Sequence, residues 1–326
     1  MKLNNFAINF KGYDSAPLKN IHLEKNSSSE FLEEMQEIGK KEGFGVKLFE
    51  DYSTWSQDDK TFVEINNRPK IAANENVSPY FWNYAKKENV EISKERGFLT
   101  GGDTFIGKYP TGEKWLITGH SPILPDFRQD ISNCYGIKQE NIFSVPRPNF
   151  HLDMALRPIG YPNILVNDFN LVDKNIKKLD DDSVAFKNYL SSYEYFKAQT
   201  LSKYSDTNRL YRALKKLGFN PIRVAGIYGN EVNFMNGIIN KHKDNTFSYI
   251  TNSSESSTSP FYTKMQEMFK KELSKKVPDL SQIYFVKGKN ATSGHFCGNF
   301  IMETLKYQHG GIHCMSLEEP NFEIWA

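Results

Sequence analysis

The sequence predicts a mixed α/β or α+β fold, and three observations predict it. Short β-rich runs (Val46-Lys47-Leu48-Phe49, Thr61-Phe62-Val63-Glu64-Ile65, Trp115-Leu116-Ile117-Thr118) alternate with stretches of helical hydrophobic period. Loose β, β, α, β groupings recur along the chain, so that strand pairs are followed by a helix and a further strand. At 326 residues the chain can bury a large core, and it reads as one unit spanning 1–326.

Taken in order, residues 27–41 read as a helix: Ser27 and Glu30 stand at capping-box spacing, and Phe31, Met35 and Ile38 keep helical period before Gly43. Helices follow at 79–87, opened by Pro79, and at 126–135. Gly97 to Asp103 is a turn feeding the strand Thr104-Phe105-Ile106, with Trp115 to Thr118 as its hairpin partner. Residues around His151 and residues 163–166 read as strands. A helix over 206–217 shows Leu210, Leu214 and Leu217 on one face and stops at Gly218, leading into Ile222-Arg223-Val224. Residues 232–239 read as a strand and 244–258, rich in Asn, Ser and Thr, as a loop. A basic helix opened by Pro260 and a strand at 283–286 complete the pattern. The Asp180-Asp181-Asp182 run reads as a solvated helix start.

Composition excludes several function classes. Lys and Arg total 41 against 39 Asp and Glu, a net charge of +2, so no strong global field recruits nucleic acid or an anionic membrane surface. Aromatic residues at 14% exclude a disordered chain, and the apolar runs fall short of a membrane span. The opening MKLNNFAINFKGYD has no continuous apolar segment, so no secretory signal is read and cytoplasm is the expected compartment. Cys134, Cys297 and Cys314 form no disulfide framework and read as reduced thiols. Nothing in the sequence fixes an oligomeric state.

Three short stretches carry chemistry. Gly310-Gly311-Ile312-His313-Cys314-Met315-Ser316 presents one cysteine in a small-residue turn, a nucleophile that needs a base and charge partners. His151-Leu152-Asp153 offers both on one face if the stretch is a strand. Trp55-Ser56-Gln57-Asp58 adds a second carboxylate just ahead of a strand. Taken singly, each has an ordinary reading: Asp58 a turn carboxylate, His151 and Asp153 a local hydrogen-bonded pair, Cys314 an inert buried thiol.

Jointly, and in this order, WSQD, HLD and GGIHC resemble the motifs of the guanidine-modifying superfamily: arginine, agmatine and protein-arginine deiminases and amidinotransferases. The resemblance covers roughly residues 50–326, with no alignable motif between about 165 and 230. It is most like the catalytic domain of protein-arginine deiminases, since Gln57 precedes the first Asp and the chain ends in Pro320-Asn321-Phe322-Glu323-Ile324-Trp325. It implies a five-bladed α/β propeller of ββαβ modules around a central pocket, with no cofactor and no metal. It also implies the catalytic set Cys314, His151, Asp153 and Asp58, with Trp55, Asn233, Asn236 and Asp103 beside the substrate.

The implied activity is conversion of arginine in a peptide or protein to citrulline and ammonia through an amidino-cysteine. Two carboxylates suit a planar, cationic guanidinium, and one His can protonate the leaving nitrogen and then activate water. Thr100 stands where free-arginine deiminases carry a Glu before Gly101-Gly102, which weakens a small-substrate reading. Nothing in the sequence supports the calcium dependence of vertebrate protein-arginine deiminases. An amidinotransferase or small-guanidine deiminase is the alternative within this chemistry. From another class, His295, Cys297, His309 and His313 could form a structural zinc site in a non-catalytic binding protein, at imperfect spacing.

Overall fold

The computed structural model describes residues 16–50, 55–74, 77–94, 97, 99–120, 123–148, 150–176, 182, 187, 205–226, 232–255, 260–288, 299–308 and 310–325. It is a mixed α/β structure built on small sheets. Strands β1 (Leu18–Glu24) and β2 (Gly45–Phe49) run parallel across the helix Ser29–Glu42. The same plan repeats four times: β3 (Lys60–Ile65) pairs antiparallel with β4 (Arg68–Ala73), which runs parallel to β5 (Glu91–Ser93) after the helix Pro79–Glu88. Next come β6 (Thr104–Lys108), β7 (Lys114–Thr118) and β8 (Ile142–Ser144), with the helix Pro125–Tyr135 between the last two. Then β9 (Leu156–Pro158), β10 (Asn163–Asp168) and β11 (Asn220–Ala225) enclose the helices Phe169–Ile176 and Asp206–Lys216. Strands β12 (Ile238–Lys241), β13 (Phe247–Asn252) and β14 (Leu280–Val286), with the helix Pro260–Lys276, form the fifth group.

The first group lacks an antiparallel partner in its own stretch, and β15 (Ser316–Pro320) supplies it from the other end of the chain, pairing with β1 from Leu18↔Pro320 to Leu23↔Ser316. Among the described residues, then, there are five three-stranded sheets, each with one antiparallel and one parallel pairing. The parallel pair always spans a helix, because parallel strands need a crossover long enough to return the chain. The inner ends of the groups share a core: Ile21 and Leu23 of β1 pack with Met154, Ile238, Ile250, Ile312 and Met315, all buried. Cys134 is a wholly buried member of a separate core cluster.

The structure corrects several expectations. Residues 247–252 form the central strand β13 and not a loop; every one of them is buried, and the polar ones are bonded, with Thr251 Oγ1 donating to the Phe234 carbonyl at 2.9 Å. The strand expected over 232–239 begins only at Ile238. His151 and Asp153 belong to no strand: His151 precedes a 3₁₀ turn, Leu152–Met154. Ser28, not Ser27, caps the first helix, its Oγ accepting from Phe31 N–H at 3.5 Å. Asp180 and Asp181 lie outside the described residues.

Candidate active site

Each candidate residue sits in the short turn that leads into the first strand of a sheet. Asp58 is in the helical turn Ser56–Asp59 before β3, Asp103 in the 3₁₀ turn Gly101–Asp103 before β6, and His151 and Asp153 precede β9. Asn233 and Asn236 precede β12, and Cys314 is in the helical turn Ile312–Met315 before β15. Stretches far apart in sequence meet because they occupy equivalent places in five equivalent groups.

The meeting point is tight. A ring nitrogen of His151, a carboxylate oxygen of Asp153 and Cys314 Sγ all lie within 4.8 Å of one another. Asp153 is wholly buried, and its two oxygens differ in kind. Oδ2 accepts from Asn236 Nδ2 at 2.7 Å, His313 Nδ1 at 2.8 Å and Cys314 Sγ at 3.1 Å. Oδ1, also buried, accepts from nothing among the described residues. Asp58 Oδ1 lies 3.8 Å from His151 Nδ1 and accepts from Gly102 N–H at 3.1 Å. That approach requires glycine: a Cβ on residue 102 would fall 2.4 Å from His151 Nδ1.

Asparagines seat Cys314 and its turn. Asn236 Nδ2 also donates to Cys314 Sγ at 3.0 Å, and its Oδ1 accepts from His313 N–H at 2.9 Å. Asn252, at the end of β13, accepts from Ile312 N–H at 2.9 Å and donates to the carbonyls of Asn233 and Asn236. Asn233 holds the turn itself, its Oδ1 accepting from Met235 and Asn236 N–H at 3.0 Å. Asn236 thus touches the thiol and the carboxylate, and Asn233 supports Asn236. Trp55 packs on the nucleophile turn, where a Cβ on Gly310 would meet its ring at 2.4 Å. Asp103 is buried and committed to protein, accepting from Leu152 N–H at 3.0 Å and pairing with Arg147.

The electrostatics are those of a site short of positive charge. Burial pushes the Asp153 carboxyl well above its ordinary range, against the hydrogen bond from the thiol, and the nearby Asp58 adds to the rise. Burial pushes the Cys314 thiol up, and Asp153 and Asp58 push it further, with the Asn236 amide opposing. Asp58 is raised by burial, with His151 opposing. At rest the thiol is protonated. A cation lodged between the two carboxylates would oppose their effect on the thiol.

Behind Asp153 lies a second buried layer that the sequence reading missed. His313 Nε2 is 3.5 Å from Glu318 Oε1, and Glu318 accepts from Arg157 Nη2 at 3.1 and 3.3 Å. Glu318 and Glu319 belong to β15, whose Ser-Leu-Glu-Glu-Pro reads as a polar surface run although every residue of it is buried. Alternation was the available signal: neighbouring strand residues face opposite sides, so one glutamate reaches Arg157 and the other His22, Asn20 and Tyr84.

Arg157 and Arg223, two of the arginines available to hold a substrate carboxylate, are engaged with protein, Arg223 pairing with Asp168 at 3.6 Å and Asn208 at 2.9 Å. Arg147, beside Asp103, has a part-exposed side chain. Of the four residues considered for a zinc site, His295, Cys297 and His309 lie outside the described residues, and His313 faces Asp153. His151, Asp153 and Cys314 form the group of possible metal ligands found among the described residues, with Asp153 Oδ2 already filled by three protein donors. No helix among those residues is long and apolar enough to cross a membrane.

No protein-family model and no curated protein sequence matches this chain. Solved structures do. An agmatine deiminase of C. jejuni superposes with a TM-score of 0.55 at 16% identity, covering 98% of each chain. An amidinotransferase of Microseira wollei, from a saxitoxin biosynthetic pathway, gives a TM-score of 0.51 at 13% identity, covering 95% of this chain and 96% of the other. An agmatine deiminase of Enterococcus faecalis gives 0.50 at 12% identity, covering 94% of both chains. This chain shares its fold with these agmatine deiminases and this amidinotransferase, and the expected resemblance holds at the level of the fold.

Proposed function

We propose that this chain is a cysteine-dependent enzyme that hydrolyses a C–N bond of a guanidinium group, a deiminase. One observation carries the reading: the thiol, the imidazole and the buried carboxylate meet within 4.8 Å, and one buried oxygen of the carboxylate has no donor among the described residues. A buried, unpaired carboxylate oxygen is costly unless a ligand N–H fills it. A guanidinium offers planar N–H pairs and the positive charge that Asp153 and Asp58 lack. The pairing of β15 with β1 and the fivefold recurrence of one sheet plan support the expected five-bladed propeller around this site.

In the proposed reaction the substrate cation lies between Asp58 and Asp153, and its charge lowers the free energy of the Cys314 thiolate. Sγ attacks the central carbon, and the thiol proton passes to His151. His151 protonates one departing nitrogen, which leaves as ammonia, and an amidino-cysteine remains. His151 then takes a proton from water, whose oxygen adds to the same carbon. Collapse breaks the C–S bond, releasing the ureido product and restoring the thiol.

For the substrate, the proposal is arginine within peptides or proteins, supported by Thr100, Gln57 and the aromatic C-terminal stretch. A small guanidine, or transfer of the amidino group to an amine, is the second reading; the full-length likeness to agmatine deiminases and an amidinotransferase favours it. Ammonia release from an arginyl peptide, free arginine and agmatine, assayed side by side, separates them. The peptide is expected to turn over fastest. Equal or faster release from agmatine or arginine overturns the substrate choice, and amidination of an added amine without ammonia release overturns hydrolysis. If neither reaction occurs, the chain is no guanidine-modifying enzyme.

A further inference from the structure

We propose that His313 is a positioning residue for this reaction: its Nδ1–H holds Asp153 so that Oδ2 is filled by protein and Oδ1 is left for the substrate cation. The inference rests on the reading of the site as a guanidinium clamp, and it adds a third residue set to that reading.

The geometry assigns the role. His313 is wholly buried, its ring stacked on Phe105 at 5.7 Å between centroids with 24° between planes, and Arg157 lies over the same ring at 5.6 Å. The stack fixes the plane of the imidazole. Its backbone is pinned as well, by the bond from His313 N–H to Asn236 Oδ1 at 2.9 Å. With the ring fixed, Nδ1 points at Asp153 Oδ2 at 2.8 Å and Nε2 at Glu318 Oε1 at 3.5 Å.

A carboxylate with three donors on one oxygen and none on the other is held in a single rotamer with one face open. Charge matters equally. Were His313 an imidazolium, it would neutralise Asp153 and remove half of the cation clamp. Burial, followed by the Arg157 guanidinium and His151, holds His313 well below its ordinary value, which favours the neutral ring that the proposal requires, with its one N–H on Asp153. His313 touches neither the reacting atoms nor, on this placement, the substrate; it acts through Asp153.

Two measurements test this. The first is the tautomer of His313, read from ring ¹⁵N shifts in labelled full-length protein, assigned by comparison with His313→Asn. A neutral Nδ1–H ring is expected, and an Nε2–H tautomer or an imidazolium at neutral pH overturns the proposal. The second compares alkylation of Cys314 by a haloacetamidine, which is cationic, with alkylation by a neutral haloacetamide.

In His313→Phe, which keeps the stack on Phe105 and loses the donor, preference for the cationic reagent is expected to fall about tenfold or more. That is the scale of one hydrogen bond to a charged group. His313→Asn, whose Nδ2 can take the place of Nδ1, is expected to restore most of it. Retained preference in His313→Phe, or no recovery in His313→Asn, overturns the role. If His313→Phe does not fold, the tautomer and the Asn variant decide. Absence of any cationic preference in the parent protein would instead overturn the guanidinium reading itself, which keeps the two failures apart.

Discussion

Replacing Asp58 by asparagine should move two reactivities of Cys314 in opposite directions. Asp58 accepts from Gly102 N–H at 3.1 Å, and an amide oxygen can keep that bond while the charge is lost. The Asp58 charge acts on the Cys314 thiol, and between charges several ångströms apart at an effective dielectric near 20 such an interaction is on the order of 2 kcal/mol. The Asp58 side chain is 26% exposed, and solvent screening reduces this to about 1 kcal/mol.

In the free protein Asp58 opposes thiolate formation. Asp58→Asn should therefore speed alkylation by a neutral haloacetamide at about pH 8 by about fivefold. The cationic haloacetamidine loses one of its two carboxylates and should react about fivefold to tenfold more slowly. The ratio of the two rates, measured by mass spectrometry of the Cys314 peptide, should fall by well over tenfold. Rates that move together, or a neutral rate that drops, would refute the charge-clamp reasoning, because no purely structural damage accelerates one reagent and slows the other.

Asp153→Asn should abolish ammonia release and yet raise the thermal midpoint at pH 7 by a few degrees. Its carboxyl is raised in the folded state, so folding stability is lost as pH climbs from the unfolded value through the folded one, and an amide escapes that loss; a lower midpoint at pH 7 refutes it. Gly102→Ala should lower kcat by at least about tenfold with little change in stability, since the new methyl displaces the His151 ring; unchanged kcat would remove His151 from the chemistry.

Glu319 behaves in the opposite sense to Asp153. Although burial works to raise it, hydrogen bonds from His22, Tyr84 and Asn20 pull it to about 2 from 4.5, so its stabilisation is complete above pH 4.5 and lost as pH falls through about 2. A fall of that size corresponds to about 3 kcal/mol of stabilisation. Denaturant unfolding of Glu319→Gln should show a flattened acid limb, and an acid limb identical to the parent's refutes it.

The site's extremities were legible because they are short, local and chemically distinct: Cys314 in its glycine turn, His151 with Asp153, and Asp58 before a strand. Their convergence was not, since it follows from the equivalence of turns in sheets whose sequences share no repeat. Local polarity also misled. Residues 244–258 read as a loop because Ser248, Thr251, Asn252, Ser253 and Ser254 are polar, whereas each is buried and bonded and the stretch supplies Asn252 to the nucleophile turn. Spacing proposed that His151 and Asp153 share a face as strand neighbours. They do converge, but through a 3₁₀ turn anchored by Asp103 on Leu152 N–H. Asp103 shapes the turn that carries His151.

On the proposed reading, a site that opposes the charged form of its own nucleophile is consistent with catalysis, because the missing charge arrives with the substrate. Burial, Asp153 and Asp58 all keep Cys314 protonated in the free protein. A guanidinium between those carboxylates cancels their effect on the sulfur and occupies Asp153 Oδ1, so thiolate forms where there is something to attack. The same electrostatics then favour release. Hydrolysis converts a cation into a neutral ureido group, and at an effective dielectric near 20 each carboxylate about 4 Å away loses an attraction of about 4 kcal/mol before solvent screening. The product thus lacks the interaction that drew the substrate in, and citrulline-type ureido compounds should inhibit far more weakly than guanidines of the same length.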